Sequence, residues 1–284
     1  MKVSLVCATV DRVAEPERLL QSLAEQTHRD LELIVVDQNP DERLAPALAR
    51  YRETFPIIHV RRAARGLSAA RNEGLSRISG QLVAFPDDDC WYAPTTLERV
   101  VEFLNGSSQW DGLTGLTADE TRRPLPVPWA KTAAPLARFN LWSRHTAESI
   151  FLRREVVDKV GGFDPKLGLG AGTPWGSGEE TDYVLRALEA GFRIRYSPDL
   201  VIYTRNPVTV YDEISLRRRA FSYALGQGRV LRTHRYPLWW LGYRSARSLA
   251  GAVLALASGN PDKARYFWSV FHGRIRGWRD AARA

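Results

Sequence analysis

Three consecutive carboxylates, Asp87-Asp88-Asp89, follow the apolar run 81–85 and precede Cys90-Trp91. Holding them together costs like-charge repulsion. A bound divalent cation would relieve it, and carboxylate oxygens suit Mg²⁺ or Mn²⁺. The competing explanation is a solvated turn that caps a helix starting near Pro94. Asp37 closes the apolar run 31–36, and Thr9 and Asp11 close the run 3–8. Open α/β sheets bind ligands beyond the carboxyl ends of their strands, so a carboxylate there can accept a hydrogen bond from a base or a ribose. Asp37 is equally explained as the start of a turn. In Arg65-Gly66-Leu67-Ser68-Ala69-Ala70-Arg71-Asn72-Glu73-Gly74, Gly66 permits close backbone approach and Ser68 can cap a helix. Its N-terminus and Arg71 favour an anion such as a diphosphate, unless Arg71 only makes a surface salt bridge. A fourth group, Gly178-Glu179-Glu180-Thr181-Asp182, puts acids in a first helical turn, which dipole grounds alone would favour. The preceding 168–178 holds five glycines in eleven positions and carries Trp175. It reads as a mobile loop able to close over a ligand and exclude water.

The elements that must position these groups follow from periodicity. Strands are expected at 3–8, 31–36, 57–60 and 81–85, alternating with helices at 16–25, 42–52, 68–78 and 94–104. That alternation implies a mostly parallel sheet covered by helices on both faces. Residues 118–145, rich in Pro, Arg and Trp, read as an irregular lobe. A strand at 148–152, a helix at 154–160, a helix at 179–190 closed by Gly191 and a late strand at 201–203 follow. Three apolar-basic helical segments, 211–233, 238–257 and 261–280, complete the chain.

The chain has 284 residues, with hydrophobic residues at 44% and charged residues at 25%, which excludes a disordered or fibrous protein. Two cysteines exclude a disulfide scaffold and a Cys-rich zinc module. The N-terminal residues carry no signal-peptide pattern. The longest uncharged stretch, between Arg247 and Asp262, is 14 residues, short of the ~20 that a spanning helix needs. The expectation is a cytoplasmic protein. Its net charge of +8 is uneven. From residue 212 on, Lys and Arg number 14 against 4 Asp and Glu, a balance of +10; residues 1–211 hold 26 and 28, a balance of −2.

With these groups in this order, residues 3–205 resemble the inverting glycosyltransferases of family 2. The resemblance implies a GT-A fold: a Rossmann-like sheet domain over 1–210, followed by a basic amphipathic helical extension over 211–284. Asp37 matches the family's uracil-binding aspartate, 66–74 its Arg-Asn-x-Gly helix, Asp87-Asp88-Asp89 its D-x-D metal motif and 178–182 its acidic helix. It implies a nucleoside-diphosphate sugar donor, with UDP the expected nucleotide. Thr9, Asp11, Arg12, Asp37, Arg71, Asp87 and Asp88 would hold the donor. Asp89, helped by Asp87, would hold Mg²⁺ or Mn²⁺, which neutralises the leaving diphosphate. Glu180 would be the base toward the acceptor hydroxyl, with Glu179 the second choice, and Trp175 would stack on an acceptor sugar. Two departures stand out. The family's usual base is Asp, and the Tyr-His-Pro pattern that can complete its metal site is Tyr203-Thr204-Arg205 here.

The basic tail would suit a nucleic acid, a packed helical subdomain or an anionic membrane surface. The segment 237–249 mixes Trp, Tyr and Arg and precedes the uncharged 250–257, a pattern that favours a lipid headgroup region over nucleic acid. A polyprenyl-diphosphate-linked saccharide at the inner face of the cell membrane is then the expected acceptor. Rival readings are a nucleotidyltransferase, against which 7–12 offers no glycine-rich loop, and a non-catalytic sugar-nucleotide-binding protein.

Overall fold

The computed structural model describes residues 1–125, 128–205 and 214–281. The chain divides into two compact units, one of residues 1–65, 69–162 and 183–206, the other of 66–68, 163–182 and 207–284. The expected domain border at 210/211 and helix start at 211 lie outside the described residues. The segment 163–182, expected in the sheet domain, groups with the C-terminal helices.

The first unit is built on one sheet. Strands β1 (Val3–Thr9) and β2 (Leu31–Asp37) are buried along their whole length, as continuous apolar runs in a parallel sheet must be. With β3 (Ile57–Arg61) and β4 (Leu82–Ala84) they form a parallel array. Helices α1 (Ala14–Ala24), α2 (Ala45–Ala49) and α3 (Leu67–Leu75) connect these strands. Helix α2 is shorter than the expected 42–52. The described strands run in the order β3-β2-β1-β4-β8-β6-β9-β5, with β7 attached to β9. Here β5 is Cys90–Tyr92, β6 Gly112–Ala118, β7 Ala134–Pro135, β8 Ile150–Arg153 and β9 Ile194–Thr204. Beyond β4 the sheet is mixed: β8 is antiparallel to β4 and β6, β5 is antiparallel to β9, and only β6 and β9 are parallel. The parallel character expected of the whole sheet thus holds for its first half. Between β6 and β8 the chain supplies an irregular lobe with two 3₁₀ turns in place of a crossover helix. The strand expected at 148–152 begins only after the second of these turns. Helices α4 (Thr96–Asn105) and α5 (Arg154–Val160) complete this unit.

Helix α6 (Glu179–Glu189) follows the glycine-rich segment. In the second unit, α7 (Ile214–Thr233), α8 (Leu238–Ala257) and α9 (Pro261–Asp280) confirm the three C-terminal helical segments. Glycines permit the α7–α9 contact. A Cβ at Gly228 would strike the Arg274 carbonyl, and one at Gly277 the Leu225 carbonyl.

Candidate functional site

In the first unit, β1 and β2 end side by side, with Thr9 in register with Asp37. The acidic triplet leaves β4 at the same end of the parallel array. Thr9 Oγ1 donates to Asp88 Oδ2 at 2.6 Å. Arg12 Nη1 donates to Asp88 Oδ1 at 2.5 Å and to Asp89 Oδ2 at 2.8 Å. Arg71, 1% exposed, donates through Nη2 to Asp87 Oδ1 at 2.7 Å. Helix α3 delivers Arg71 because Gly74 lets it lie close on the sheet, where a Cβ would collide with Val6 Cγ1. Asp37 Oδ1 accepts from the backbone and side-chain nitrogens of Asn39, whose Oδ1 accepts from the Asp11 backbone N–H. Asp11 pairs with Arg65 at 2.8 Å. Thr9, Asp11, Arg12, Asp37, Arg71 and the three carboxylates therefore gather in one polar crevice.

Asp37 is enclosed by protein groups. It is fully buried, and its second oxygen faces His59 Nε2 at 2.9 Å. Its direct contacts are thus protein groups, and Asn39 is its link toward the crevice.

The crevice is short of positive charge. Burial raises the Asp87 carboxyl well above the usual range; Arg71 opposes this, while Glu148, Asp89 and Asp88 add to it. Asp88 is raised by burial against the pull of Thr9 and Arg12. Glu148, a buried residue with no signal in the sequence motifs, is raised by burial as well. Burial and Asp88 likewise push up the Cys7 thiol. Burial disfavours the Arg12 charge, but Asp88 and Asp89 outweigh it and raise that guanidinium.

Such a carboxylate excess fits a divalent cation. Among the described residues, no group of three or more His, Cys, Asp or Glu forms a metal cage. The donor set instead resembles a Mg²⁺-type site, which uses one or two carboxylates plus substrate phosphates. Asp89 suits that role: it meets Arg12 through one oxygen and its side chain keeps 31% exposure.

Beside Asp89 the same unit has features that the motifs did not signal. A small cavity lined by Ala14, Glu15, Arg18, Asp89, Trp91 and Arg205 adjoins the triplet. A larger one of about 330 Å³ shares Arg18, Trp91 and Arg205 and adds Asp119, Glu120 and Thr204. The Arg18 guanidinium sits 3.3 Å from the Trp91 ring centre, and Trp91 stacks on Tyr203. The pairing that aligns these two rings joins the expected late strand, through Tyr203, to the short strand β5 around Trp91, which no apolar run announced.

In the second unit the glycine-rich segment is tied down. Gly168 N–H bonds to the Trp175 carbonyl, Gly176 N–H to the Ser222 carbonyl and Ser177 Oγ to the Tyr223 carbonyl. The mobile loop expected here is an anchored one, because its backbone groups find partners on α7. Trp175 is 8% exposed and the Arg229 guanidinium lies 3.9 Å from its ring centre. The ring packs inward, which does not support the stacking role expected of it. The three acids in the first turn of α6 separate by environment. Asp182 is buried against His234 Nε2 at 2.9 Å. Glu179 is buried against Gly168. Glu180 is only partly buried and accepts from Thr181 Oγ1 at 3.2 Å.

The α/β sheet with its strand-end crevice places the chain in the GT-A class of folds. It shares that fold with the mannosyltransferase of Pyrobaculum calidifontis solved with GDP-Man and Mn²⁺ (TM-score 0.65, 18% identity, 96% of this chain and 87% of that one). The glycosyl transferase family 2 model matches residues 4–159, and that of glycosyl transferase family group 2 matches 139–273. The chain belongs to glycosyl transferase family 2. An uncharacterized glycosyltransferase of Nostoc sp. is 27% identical over 176 residues, 58% of this chain and 55% of that protein. The glucosyl-dolichyl phosphate glucuronosyltransferase of Haloferax volcanii is 27% identical over 185 residues, 59% of this chain and 58% of that protein. The chain thus spans less than two thirds of the length of these curated relatives.

Proposed function

We propose that the protein is an inverting glycosyltransferase that moves a sugar from a nucleoside-diphosphate sugar to a saccharide or lipid-linked saccharide acceptor. The observation that carries this reading is the crevice in which Thr9, Arg12 and Arg71 grip three adjacent carboxylates of a family 2 chain. In it, Asp11, Asn39 and Asp88 face the nucleoside, while Arg12 and Arg71 fix the carboxylates around the diphosphate. Asp89, with Asp87 beside it, would hold Mg²⁺ or Mn²⁺, and a bound cation there would stabilise the charge that develops on the leaving diphosphate. Glu180 is the base that takes the proton of the acceptor hydroxyl. Its partial exposure favours it over Glu179 and Asp182, which are buried against protein groups. Attack opposite the leaving group inverts the anomeric centre in one displacement.

The donor is a UDP-sugar by the family resemblance, and the GDP-Man of the Pyrobaculum structure makes GDP-sugars the next class to test. The Haloferax relative's dolichyl phosphate substrate supports a lipid-linked acceptor. The aromatic-basic helices support a peripheral place on an anionic membrane surface; among the described residues no helix is long and apolar enough to cross a membrane. The test is a thermal-shift screen of UDP-, GDP- and dTDP-sugars with Mn²⁺, followed by donor turnover for wild type, Asp89→Ala and Glu180→Gln. Wild-type turnover no faster than that of both variants would refute the enzymatic reading.

A further inference from the structure

Both cavities beside Asp89 lie wholly within the first unit. Three elements far apart in the chain build the larger one. Helix α1 supplies Arg18, the β5–β9 pairing supplies Trp91 and Thr204, and the turn after β6 supplies Asp119, Glu120 and Thr121. That turn is closed by one carboxylate oxygen. Asp119 Oδ1 accepts from the backbone N–H groups of Thr121 at 2.9 Å and Arg123 at 3.0 Å, and from Thr121 Oγ1 at 2.6 Å. Arg122 Nε–H donates to Tyr203 Oη at 3.3 Å, which ties the turn to the end of β9. This wall is therefore built by the fold itself. The charged groups on it are less firmly engaged. Arg18 lies over the Trp91 ring and reaches Glu120 Oε2 at 3.3 Å, and Arg205 stands 3.8 Å from Glu15. Both ion pairs are long and open to solvent, so they add little to stability and can be exchanged for contacts to a ligand.

We infer that the larger cavity is a subsite for a neutral sugar unit of the acceptor saccharide, reached from the donor crevice past Asp89. Across the two adjoining cavities, Arg18 and Arg205 face Glu15, Asp89, Asp119 and Glu120. An anion entering there meets an excess of negative charge. An apolar ligand strips water from these groups without replacing its hydrogen bonds. A pyranose meets both demands, because each hydroxyl donates and accepts. It can take a guanidinium N–H from Arg18 and give its own proton to Glu120. Thr121 gives its hydroxyl proton to Asp119, which leaves its oxygen an acceptor toward a ligand. Trp91 adds an apolar patch for the C–H groups of the sugar. The volume of about 330 Å³ falls at the small end of small-molecule sites. The assignment to the acceptor follows from the walls. Thr9, Arg12, Asp37 and Arg71, at the nucleotide end, line neither cavity, and Asp89 lines only the smaller. The donor's sugar is bonded to the diphosphate and must stay beside Asp89. A ligand in the larger cavity has no wall on Asp89 and therefore belongs to the other substrate.

The inference rests on the glycosyltransferase reading and adds where its acceptor is held. The test is saturation-transfer NMR of the full chain with methyl glycosides of glucose, mannose, galactose and N-acetylglucosamine, and with methyl glucuronide as the anionic comparison. Thermal shifts and initial rates with sugar nucleotides run beside it. The expected result is binding of a neutral glycoside in preference to the glucuronide. Arg18→Gln and Glu120→Gln should each weaken that binding, and raise the KM for a glycoside acceptor, about tenfold, as expected for a lost hydrogen bond to a charged group. Melting temperature, donor KM and the Mn²⁺ response should stay at wild-type values. A wild type that binds none of the glycosides, or that prefers the glucuronide, overturns the neutral-sugar site. Wild-type glycoside affinity in both variants, in a protein that turns over donor, overturns the site and leaves the glycosyltransferase reading standing. Weakened donor binding with unchanged glycoside binding assigns the cavity to the donor's sugar and overturns the acceptor assignment. Glycoside binding lost in both variants of a protein that turns over no donor refutes the enzymatic reading, while the sugar site stands.

Discussion

Arg71 and Asp87 form an ion pair of 2.7 Å in which the cation is buried and the carboxylate keeps 39% exposure. The pair is asymmetric by design of the fold. Helix α3 can press Arg71 into the unit because Gly74 gives it room, whereas Asp87 stands at the mouth of the crevice. Arg71 therefore acts as fixed positive charge beneath the carboxylate triplet.

Removing that charge leaves the triplet with Arg12 alone. Arg71→Met is expected to destabilise the protein by about 1.5–3 kcal/mol, the range for losing a hydrogen bond to a charged group, and to weaken donor binding. Urea melts and a donor titration measure the two effects separately. Arg71→Lys keeps the charge but not the planar fork, so it should recover most of the stability and only part of the affinity. Equal loss in both variants would mean that packing, not charge, is what Arg71 supplies.

The carboxylate excess predicts a cation response. Adding Mn²⁺ at a hundred times its dissociation constant should stabilise the protein by about 2.7 kcal/mol, a rise of about 5 °C for a chain of this size. A chelator should reverse it. Asp89→Ala should abolish the response while leaving the metal-free melt near that of wild type, since Asp89 meets Arg12 through one oxygen and keeps 31% exposure.

His145 sets a pH dependence of its own. Burial holds its imidazole down at about 4, while its Nδ1–H donates to the Leu141 carbonyl. In the unfolded chain it titrates near 6.5. Between those values the unfolded state binds the extra proton, so stability is full above about pH 6.5, falls as the pH drops and levels off below about pH 4. The expected loss is about 3 kcal/mol. His145→Gln should flatten that part of the stability profile, as measured by denaturant midpoints across pH.

Two glycines of the C-terminal helices should respond in opposite directions. A Cβ at Gly242 meets nothing within 4 Å, so Gly242→Ala should stabilise α8 by about 0.5–1 kcal/mol through helix propensity. A Cβ at Gly277 would strike the Leu225 backbone carbonyl. Gly277→Ala should therefore force α9 from α7 and lower the melting temperature.

The parallel half of the sheet was legible because β1 and β2 are uninterrupted apolar runs, buried on both faces. Of the other half only β8 and the end of β9 were expected, at 148–152 and 201–203. Strand β6 reads Gly-Leu-Thr-Gly-Leu-Thr-Ala, and Gly115 is there because the Leu200 carbonyl leaves no space for a side chain. Strand β9 contains Pro198, which argues against a strand, yet the register shift between Thr114 and Leu116 takes up the extra β9 residues around it. Among site residues, the contiguous triplet and Arg71 announced themselves by type and spacing. Glu148, His59 and His234 did not, since each gains its meaning from a partner more than 20 residues away or from burial that no local pattern encodes. The inward packing of Trp175 was hidden for the same reason: Arg229 lies on a helix 54 residues later.

The division of labour among the α6 acids gives the most direct chemical test. Asp182 is held by His234, so Asp182→Asn should lower stability and affect turnover only through it; its urea midpoint and its rate should fall together. Glu180 is only partly buried. Glu180→Gln should keep the fold, the melting temperature and the donor affinity, and lose about 10²–10⁴ in transfer rate, the usual contribution of a positioned base. Its loss should shrink at high pH, where the acceptor hydroxyl needs less help. Glu179→Gln, at a position packed against Gly168, should behave like Asp182→Asn. If Glu179→Gln instead loses rate with an unchanged melt while Glu180→Gln remains active, the base is Glu179, and Glu180 is a surface residue of the helix.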